Sequence, residues 1–147
     1  MARHLLVISC SDRKNKGSDV LPAIKRYTGA WYGVINKLKR ENRYPSNLDI
    51  VIISAKYGFL KPNDPLENYD LRMTEKRAKE LNHEIISKFK TLLERKHYNT
   101  IYINLGKDYL PAIDGLDNIF PQNSKIIYAK GKVGERKGQM KEFILSL

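Results

Sequence analysis

Residues 9–14 read Ser-Cys-Ser-Asp-Arg-Lys and place one carboxylate between hydroxyl groups and cations. Asp12 is the candidate for an acid, a base or a charge-stabilising group. Ser9, Ser11 and Lys14 are candidates for binding a phosphate or another anion, because a strand-to-helix turn exposes free backbone amides. The segment lacks the Gly-Lys-Ser/Thr ending of a P-loop. An alternative stays open, in which Asp12 only caps the turn or pairs with the arginine beside it.

A second candidate segment, residues 54–72, begins Ser-Ala-Lys-Tyr-Gly-Phe-Leu and shows neither helical nor strand periodicity. Loops of this length are usually functional or disordered, and its aromatic and apolar content indicates order. Lys56 offers a cation, and Tyr57 offers a face on which a base could stack. Glu67 and Tyr69 are close enough in sequence to act together as carboxylate and phenol. The alternatives are a solvated lysine and a turn held by its own side chains. The candidates are therefore Asp12, Glu67 and Lys56 for catalysis, with Ser54, Tyr57 and Tyr69 for substrate binding.

Two later segments add polar groups that could contact the same ligand. Asn104 ends an apolar run, and its amide could read the edge of a base or cap the next helix. Residues 130–138 hold four cations and three glycines. Lys132 and Arg136 are predicted to contact a phosphate backbone there, since close approach favours glycine and neutralisation requires cations. A flexible exposed loop is the alternative.

Apolar runs separated by helical patterns predict one α/β domain over residues 1–147, with three α/β/α layers around a mainly parallel four-stranded sheet. The carboxyl ends of parallel strands share one edge, where ligands of open α/β sheets bind. The four polar segments are therefore expected at that edge. The predicted strands are 5–8, 49–53, 100–104 and 125–128; the predicted helices are a short one ending near Tyr27, then about 30–40, 75–96, 107–113 and 139–147.

The charge balance points to a polyanionic partner. Lys and Arg total 27 against 16 Asp and Glu, a net charge of +11, which favours nucleic acid, DNA first, or a nucleotide over a merely well-solvated surface. No apolar run approaches the ~18 residues of a membrane span and no signal-peptide pattern is present, so a cytoplasmic protein without a membrane partner is expected. Cys10 is the only cysteine and the three histidines lack ligand-like spacing, so no metal site and no cofactor are expected. Bound magnesium stays open as an alternative, because it needs only one or two carboxylates. The oligomeric state stays open.

The segment Ser54-Ala-Lys-Tyr-Gly-Phe-Leu60, with Pro62 and the Glu67-Asn-Tyr69 triplet, resembles the S-A/G-x-Y/H-G-L-x-x-P…E-x-Y signature of a family of small domains of unknown function. It is also similar to the YaaA peroxide-stress proteins and to a domain of archaeal tRNA-guanine modifying enzymes. Residues 8–14 and 131–136 are similar to the corresponding parts of the small-domain family, so the resemblance spans almost the whole chain. It implies a connection to nucleic acids or nucleobases, because YaaA proteins bind DNA and are linked to oxidative damage.

The resemblance further extends to uracil-DNA-glycosylase-like folds, including a phage-defence glycosylase that removes modified cytosine. It implies a hydrolase that cleaves the N-glycosidic bond of a modified or damaged base. The chain lacks the Gly-Gln-Asp-Pro-Tyr and His-Pro-Ser motifs of classical uracil-DNA glycosylases. Asp12 would have to replace the first motif, and Lys132 or Arg136 the second. Two alternatives remain: a non-catalytic binder of DNA, RNA or a nucleotide in stress response or phage defence, and a nucleoside (deoxy)ribosyltransferase.

Overall fold

A five-stranded sheet forms the centre of the protein, in a computed structural model that describes residues 2–17 and 19–147. The strands are β1 (His4–Ser9), β2 (Leu21–Pro22), β3 (Leu48–Ser54), β4 (Gly58–Leu60), β5 (Pro65–Leu66), β6 (Thr100–Asn104) and β7 (Lys125–Tyr128). The order in the sheet is β4-β3-β1-β6-β7, and every pairing in it is parallel except that of β4 with β3. The predicted α/β class and mainly parallel sheet are confirmed, but the sheet has five strands where four were predicted, because β4 adds an antiparallel edge strand. The α-helices are α1 (Ala23–Arg26), α2 (Ala30–Arg40), α3 (Glu75–Arg95) and α4 (Val133–Leu145).

Helices cover both faces of the sheet, as predicted for three layers. Because side chains alternate along a strand, Leu5 and Val7 point to one face of β1, and Leu6 and Ile8 point to the other. The first pair packs with α3 and with two 3-10 helices, Leu110–Ile113 and Leu116–Asn118. The second pair packs with α1, α2 and α4. Burial on both faces explains why β1 has a continuous apolar run.

The topology places a switch point between β1 and β6. From β1 the chain passes to β3 on one side, and it later returns to β6 on the other side of β1. The connections therefore diverge at the carboxyl ends of β1 and β6, where open α/β sheets form a ligand crevice. Ser9 and Asn104 end these two strands, and Ser54 ends β3 beside them.

The segment between residues 54 and 72 contains two strands where a loop was predicted. β4 turns back along β3 and pairs Gly58 with Ser54, while β5 forms a small antiparallel pair with β2. A three-residue strand is too short to show periodicity, and proline in a two-residue strand obscures it further. Because Pro22 belongs to β2, the helix predicted near it is limited to the four residues of α1.

The last helix begins six residues before its predicted start at 139. Residues 133–138, predicted as a loop, form the first turns of α4. The backbone amide of Lys132 donates to the Glu135 carboxylate at 3.4 Å, which helps to satisfy the free amides at the start of this helix. Within the predicted helix 107–113 the structure has only a 3-10 helix, Leu110–Ile113, and a second 3-10 helix, Leu116–Asn118, follows it. Across residues 2–17 and 19–147, no helix combines the length and apolar character needed to cross a bilayer.

Candidate functional site at the carboxyl edge of the sheet

Ser9 connects the end of β1 to α2 through two hydrogen bonds. Its hydroxyl oxygen accepts a hydrogen bond from the Trp31 indole at 3.1 Å, and its carbonyl accepts one from the Tyr32 hydroxyl at 2.9 Å. The Ser9 side chain is buried. These internal contacts explain Ser9 as a structural link. It was predicted to bind substrate, and that role stays a prediction.

Ser11 shapes the turn that follows. Its hydroxyl donates to the Arg13 carbonyl at 2.6 Å and accepts from the Gly29 amide at 3.2 Å. A Cβ on Gly29 would lie 2.6 Å from the Ser11 Cβ, so residue 29 must be glycine for the two segments to approach this closely. The loop that carries Asp12 is thereby anchored to the start of α2.

Asp12 lies at the surface, where its carboxylate is 3.2 Å from the Arg72 guanidinium. Their side chains are 69% and 80% exposed, so water weakens the pair and a ligand can replace either partner at small cost. Asp12 lines an open concavity of about 560 Å³. The concavity also contains three cations, Arg13, Lys14 and Lys16, and one side of Tyr69.

A cluster of tyrosines, which we call the tyrosine cluster (Tyr27, Ser54, Tyr57 and Tyr69), occupies the end of β3. Ser54 is fully buried and its hydroxyl lies 2.9 Å from the Tyr69 hydroxyl. The same oxygen accepts hydrogen bonds from the amides of Lys56 and Tyr57, which turns the chain sharply off the strand. Burial raises the pKa of Tyr27 and of Tyr69 well above the usual tyrosine value, so both hydroxyls stay protonated at neutral pH.

Two lysines lie against the tyrosine cluster. The Lys14 Nζ is 4.5 Å from the centre of the Tyr69 ring, and the Lys56 Nζ is 5.7 Å from it and 5.3 Å from the Tyr57 ring. Within the described part of the chain, neither lysine forms an ion pair. Cation–π contacts therefore hold two like charges near one ring. Such an arrangement favours the binding of an anion between the two lysines. The lysines lie over the Tyr57 and Tyr69 rings, which were predicted to stack on a base.

A second group, which we call the arginine cluster (Trp31, Asn104 and Arg136), occupies the end of β6. The Arg136 guanidinium carbon lies 4.9 Å from the centre of the Trp31 ring, and one guanidinium nitrogen donates to the Asn104 side-chain oxygen at 3.2 Å. Asn104 is fully buried and its amide nitrogen faces the Met140 sulfur at 3.5 Å. Burial lowers the pKa of Arg136, yet an arginine keeps its charge at neutral pH.

Ser9 joins the two clusters. Trp31 contacts its hydroxyl, while Tyr32, whose ring centre is 5.5 Å from that of Tyr27, contacts its carbonyl. Beside Ser9, the Cys10 sulfur is 3.2 Å from the Tyr109 hydroxyl, and the thiol is buried. The structure thus brings residues from the ends of β1, β3 and β6 to one edge of the sheet.

Two predicted residues lie apart from these contacts. Glu67 is exposed and makes no ion pair within residues 2–17 and 19–147. Lys132 is exposed at the start of α4, where its backbone amide donates to Glu135 and its carbonyl accepts from the Arg136 amide. Among the described residues, no three His, Cys, Asp or Glu side chains group as they would around a metal ion.

Sequence reasoning missed four residues that build this edge: Tyr27, Trp31, Tyr109 and Arg26. Tyr27 and Trp31 have helical spacing with apolar neighbours, so their pattern indicated only core positions. Arg26 is fully buried, and its guanidinium donates to the carbonyls of Asn15, Asp19 and Leu66. Nothing in its local sequence distinguishes it from an exposed arginine.

The fold and the edge define a three-layer α/β protein with a cationic, aromatic site at the carboxyl ends of its parallel strands. The chain belongs to a family of unknown function, DUF6884, whose model matches residues 5–142. The crystal structure of AF0587, a protein of unknown function, has a similar fold, with a TM-score of 0.54 over 97% of this chain. The sequences are 14% identical, and the match covers 44% of the AF0587 chain, less than half its length. A search of curated proteins finds no match.

Proposed function

We propose that the protein binds a nucleic acid at the carboxyl edge of its sheet and hydrolyses the N-glycosidic bond of a modified or damaged base. One observation carries this proposal: the concavity beside the loop that follows β1 combines the Asp12 carboxylate with three cations and Tyr69. A sugar-phosphate unit needs both kinds of group, since its phosphates require cations and its reacting carbon requires a carboxylate.

The chemistry assigns a role to each group. A water oxygen bonds to the sugar C1′ while the bond from C1′ to the base nitrogen breaks, and the base leaves with that electron pair and takes up a proton from solvent. The sugar gains positive charge on the way, which the Asp12 carboxylate stabilises, and Asp12 also accepts a proton from the water. Asp12 suits this role better than Glu67, because Asp12 lines the concavity and Glu67 does not.

The ordered cations would bind and orient the substrate. Lys14 and Lys56 are held against Tyr69 and lack ion-pair partners in the described residues, which suits them to a phosphate. Arg136 lies over the Trp31 ring and uses one nitrogen for Asn104, which leaves other donors for a base or a phosphate. In the proposed order of events, the phosphates bind first and the base is then extruded from its stack.

The test incubates excess protein with DNA that carries a panel of modified and damaged bases, and then cleaves abasic sites with alkali. We expect strand breaks at one class of base. Asp12→Asn should slow their formation by about a hundredfold or more. Asp70→Asn is the matched control, because Asp70 is an exposed carboxylate in the same concavity and has no proposed part in the reaction. If no base in the panel gives breaks, the catalytic proposal is wrong.

A specific observation favours a second candidate, a non-catalytic binder of nucleic acid. The cations of this edge are ordered by aromatic rings, whereas Asp12 is 69% exposed and Glu67 is also exposed. A catalytic carboxylate is commonly buried in a site that tunes it. For such a binder, Asp12→Asn leaves DNA affinity nearly unchanged and the parent protein produces no abasic sites. Measuring both quantities on the same variant separates the two functions.

A further inference from the structure

A groove between α2 and α4 forms a positively charged surface outside the site described above. It has a volume of about 380 Å³ and is bordered by Lys37 of α2 and by Lys137 and Lys141 of α4. In the part of the chain that the structure describes, none of these three lysines forms an ion pair. The groove therefore carries three uncompensated positive charges along a single surface.

The two lysines of α4, Lys137 and Lys141, lie on one face of the helix because of their spacing. Gly134, Lys137, Gly138 and Lys141 follow one another at i, i+3, i+4 and i+7, which places them on one face of α4. The two carboxylates of this helix do not line the groove, and one of them, Glu135, accepts the Lys132 amide at the helix start. A polyanion lying along the groove would therefore meet cations without meeting a carboxylate.

Glycines form the floor of the groove: Gly33 on α2, and Gly134 and Gly138 on α4. Each is helical, none has a positive φ, and a Cβ at each would meet no atom within 4 Å. Neither backbone conformation nor internal packing therefore requires glycine at these positions, although glycine weakens a helix relative to alanine. Their shared effect is to keep the groove open to close approach from outside.

The groove is continuous with the proposed site through α4. Arg136, next to Lys137 in sequence, reaches from the same helix to Trp31 and Asn104 at the carboxyl edge. A chain of phosphates that runs along the groove can thus continue toward the arginine cluster. A free nucleotide carries its phosphates at one place, whereas a polymer carries them along its length.

We propose that the α2–α4 groove binds the phosphate backbone of DNA, so that the substrate is a polymer rather than a free nucleoside or nucleotide. The proposal deepens the proposed function and rests on it for the choice of nucleic acid as ligand. The occupant is argued from charge complementarity, since three cations that line one groove match the repeated negative charge of a duplex. The open floor lets the sugar-phosphate backbone approach the helices.

The test measures the affinity for a fluorescent DNA duplex of about 20 base pairs by anisotropy at several salt concentrations. The groove variant carries Lys37→Gln, Lys137→Gln and Lys141→Gln. Its log–log salt slope should be smaller by about 2 to 3, and its affinity at ~0.1 M salt should fall by about a hundredfold. The matched control carries Lys76→Gln, Lys79→Gln and Lys90→Gln, three exposed lysines of α3 on the other side of the sheet.

A second variant separates binding from stability. Gly138→Leu introduces a better helix former into open space, so the urea midpoint should rise or stay constant. The leucine also fills the groove, so the DNA affinity should fall by about fivefold or more, an estimate for steric exclusion of the backbone. Lower affinity without lower stability supports the groove as the binding surface.

The proposal is overturned if the groove variant loses no more affinity than the α3 control, or if its salt slope equals that of the parent. In that case base release from DNA by the groove variant would show that the proposed function survives alone. Conversely, a parent protein that binds deoxycytidine monophosphate as tightly as the duplex overturns the polymer proposal. A parent protein that binds anionic lipid vesicles through the groove, and does not bind DNA, overturns both proposals.

Discussion

Replacing Arg26 by methionine tests how the loop that carries Asp12 is held. Arg26 is fully buried, and within the described residues its guanidinium has no carboxylate partner. It donates instead to three backbone carbonyls, those of Asn15, Asp19 and Leu66. The first two lie in the segment that follows β1, and the third lies in β5. One side chain therefore joins the cationic loop to the strand that precedes Tyr69.

The expected loss of stability in Arg26→Met is the difference between opposing contributions. Three hydrogen bonds from a charged donor contribute about 1.5 kcal/mol each at the low end, or about 4.5 kcal/mol. Removing the charge returns part of its desolvation cost, and it also removes the Arg26 Nε, which is buried and has no partner in the described residues. We therefore expect Arg26→Met to lower the free energy of unfolding by about 2 to 4 kcal/mol. For a chain of this length that corresponds to a fall in Tm of roughly 4–16 °C.

Urea unfolding followed by circular dichroism measures this change, and Arg26→Lys is the informative comparison. A lysine keeps the buried charge but cannot reach three separate carbonyls, so it should destabilise at least as much as methionine. Hydrogen exchange should also accelerate at the Asn15 and Thr28 amides, which donate to the carbonyls of Arg26 and Arg13. Equal or greater stability of Arg26→Met would refute the reasoning, because the three carbonyl contacts would then contribute nothing net.

Two further predictions concern stability. Burial alone would raise the pKa of Asp49, but hydrogen bonds from Tyr98 and Lys96 outweigh it and hold that pKa below its usual value. Asp49 therefore stabilises the fold above its unfolded pKa of about 3.9 and loses this effect as the pH falls through its lower folded pKa. Asp49→Asn should lower the free energy of unfolding by about 1 to 2 kcal/mol at pH 7 and should not change it at pH values where Asp49 is protonated. Urea titrations at both pH values measure this difference, and a loss of stability that does not depend on pH would contradict the prediction. Gly29→Ala should lower the free energy of unfolding by about 1 to 3 kcal/mol, because the added Cβ clashes with Ser11. Adding Ser11→Gly to the same chain should restore much of that loss. Thermal melts of the single and double variants test this, and a double variant no more stable than Gly29→Ala would contradict it.

The main strands were predictable because burial on both faces requires nearly continuous apolar runs. β4 was not, since its three residues Gly58–Leu60 pair with β3 only after a turn that Gly58 makes at a φ of 72°. The early start of α4 was also missed, because Gly134 and Gly138 locally favour a loop. Burial of Met140 and Ile144 stabilises that helix from the other side, and this tertiary effect outweighs the local preference.

The convergence of residues from several strand ends at one edge was predictable from topology, because parallel strands fix where their carboxyl ends meet. The contacts that each side chain makes at this edge could not be predicted from the topology. Ser9 and Ser54 carry hydroxyl groups at strand ends, and the sequence does not indicate that other residues of the chain form hydrogen bonds with these hydroxyls. Trp31 was assigned to the core by its spacing, although its ring also supports Arg136. Such assignments depend on which distant residues reach the edge, and local sequence does not contain that information.

The organisation of the edge has a consequence for how a substrate would bind. Aromatic rings hold Lys14, Lys56 and Arg136 in place before any ligand arrives, so little conformational entropy is lost when these cations meet phosphates. Asp12, in contrast, is exposed and paired with Arg72, and it would enter the reaction only after a phosphate draws Arg72 away. Binding of the backbone would thus precede and enable the chemistry. Under the proposed function, we expect removal of these cations to weaken substrate binding and Asp12→Asn to slow the step that follows.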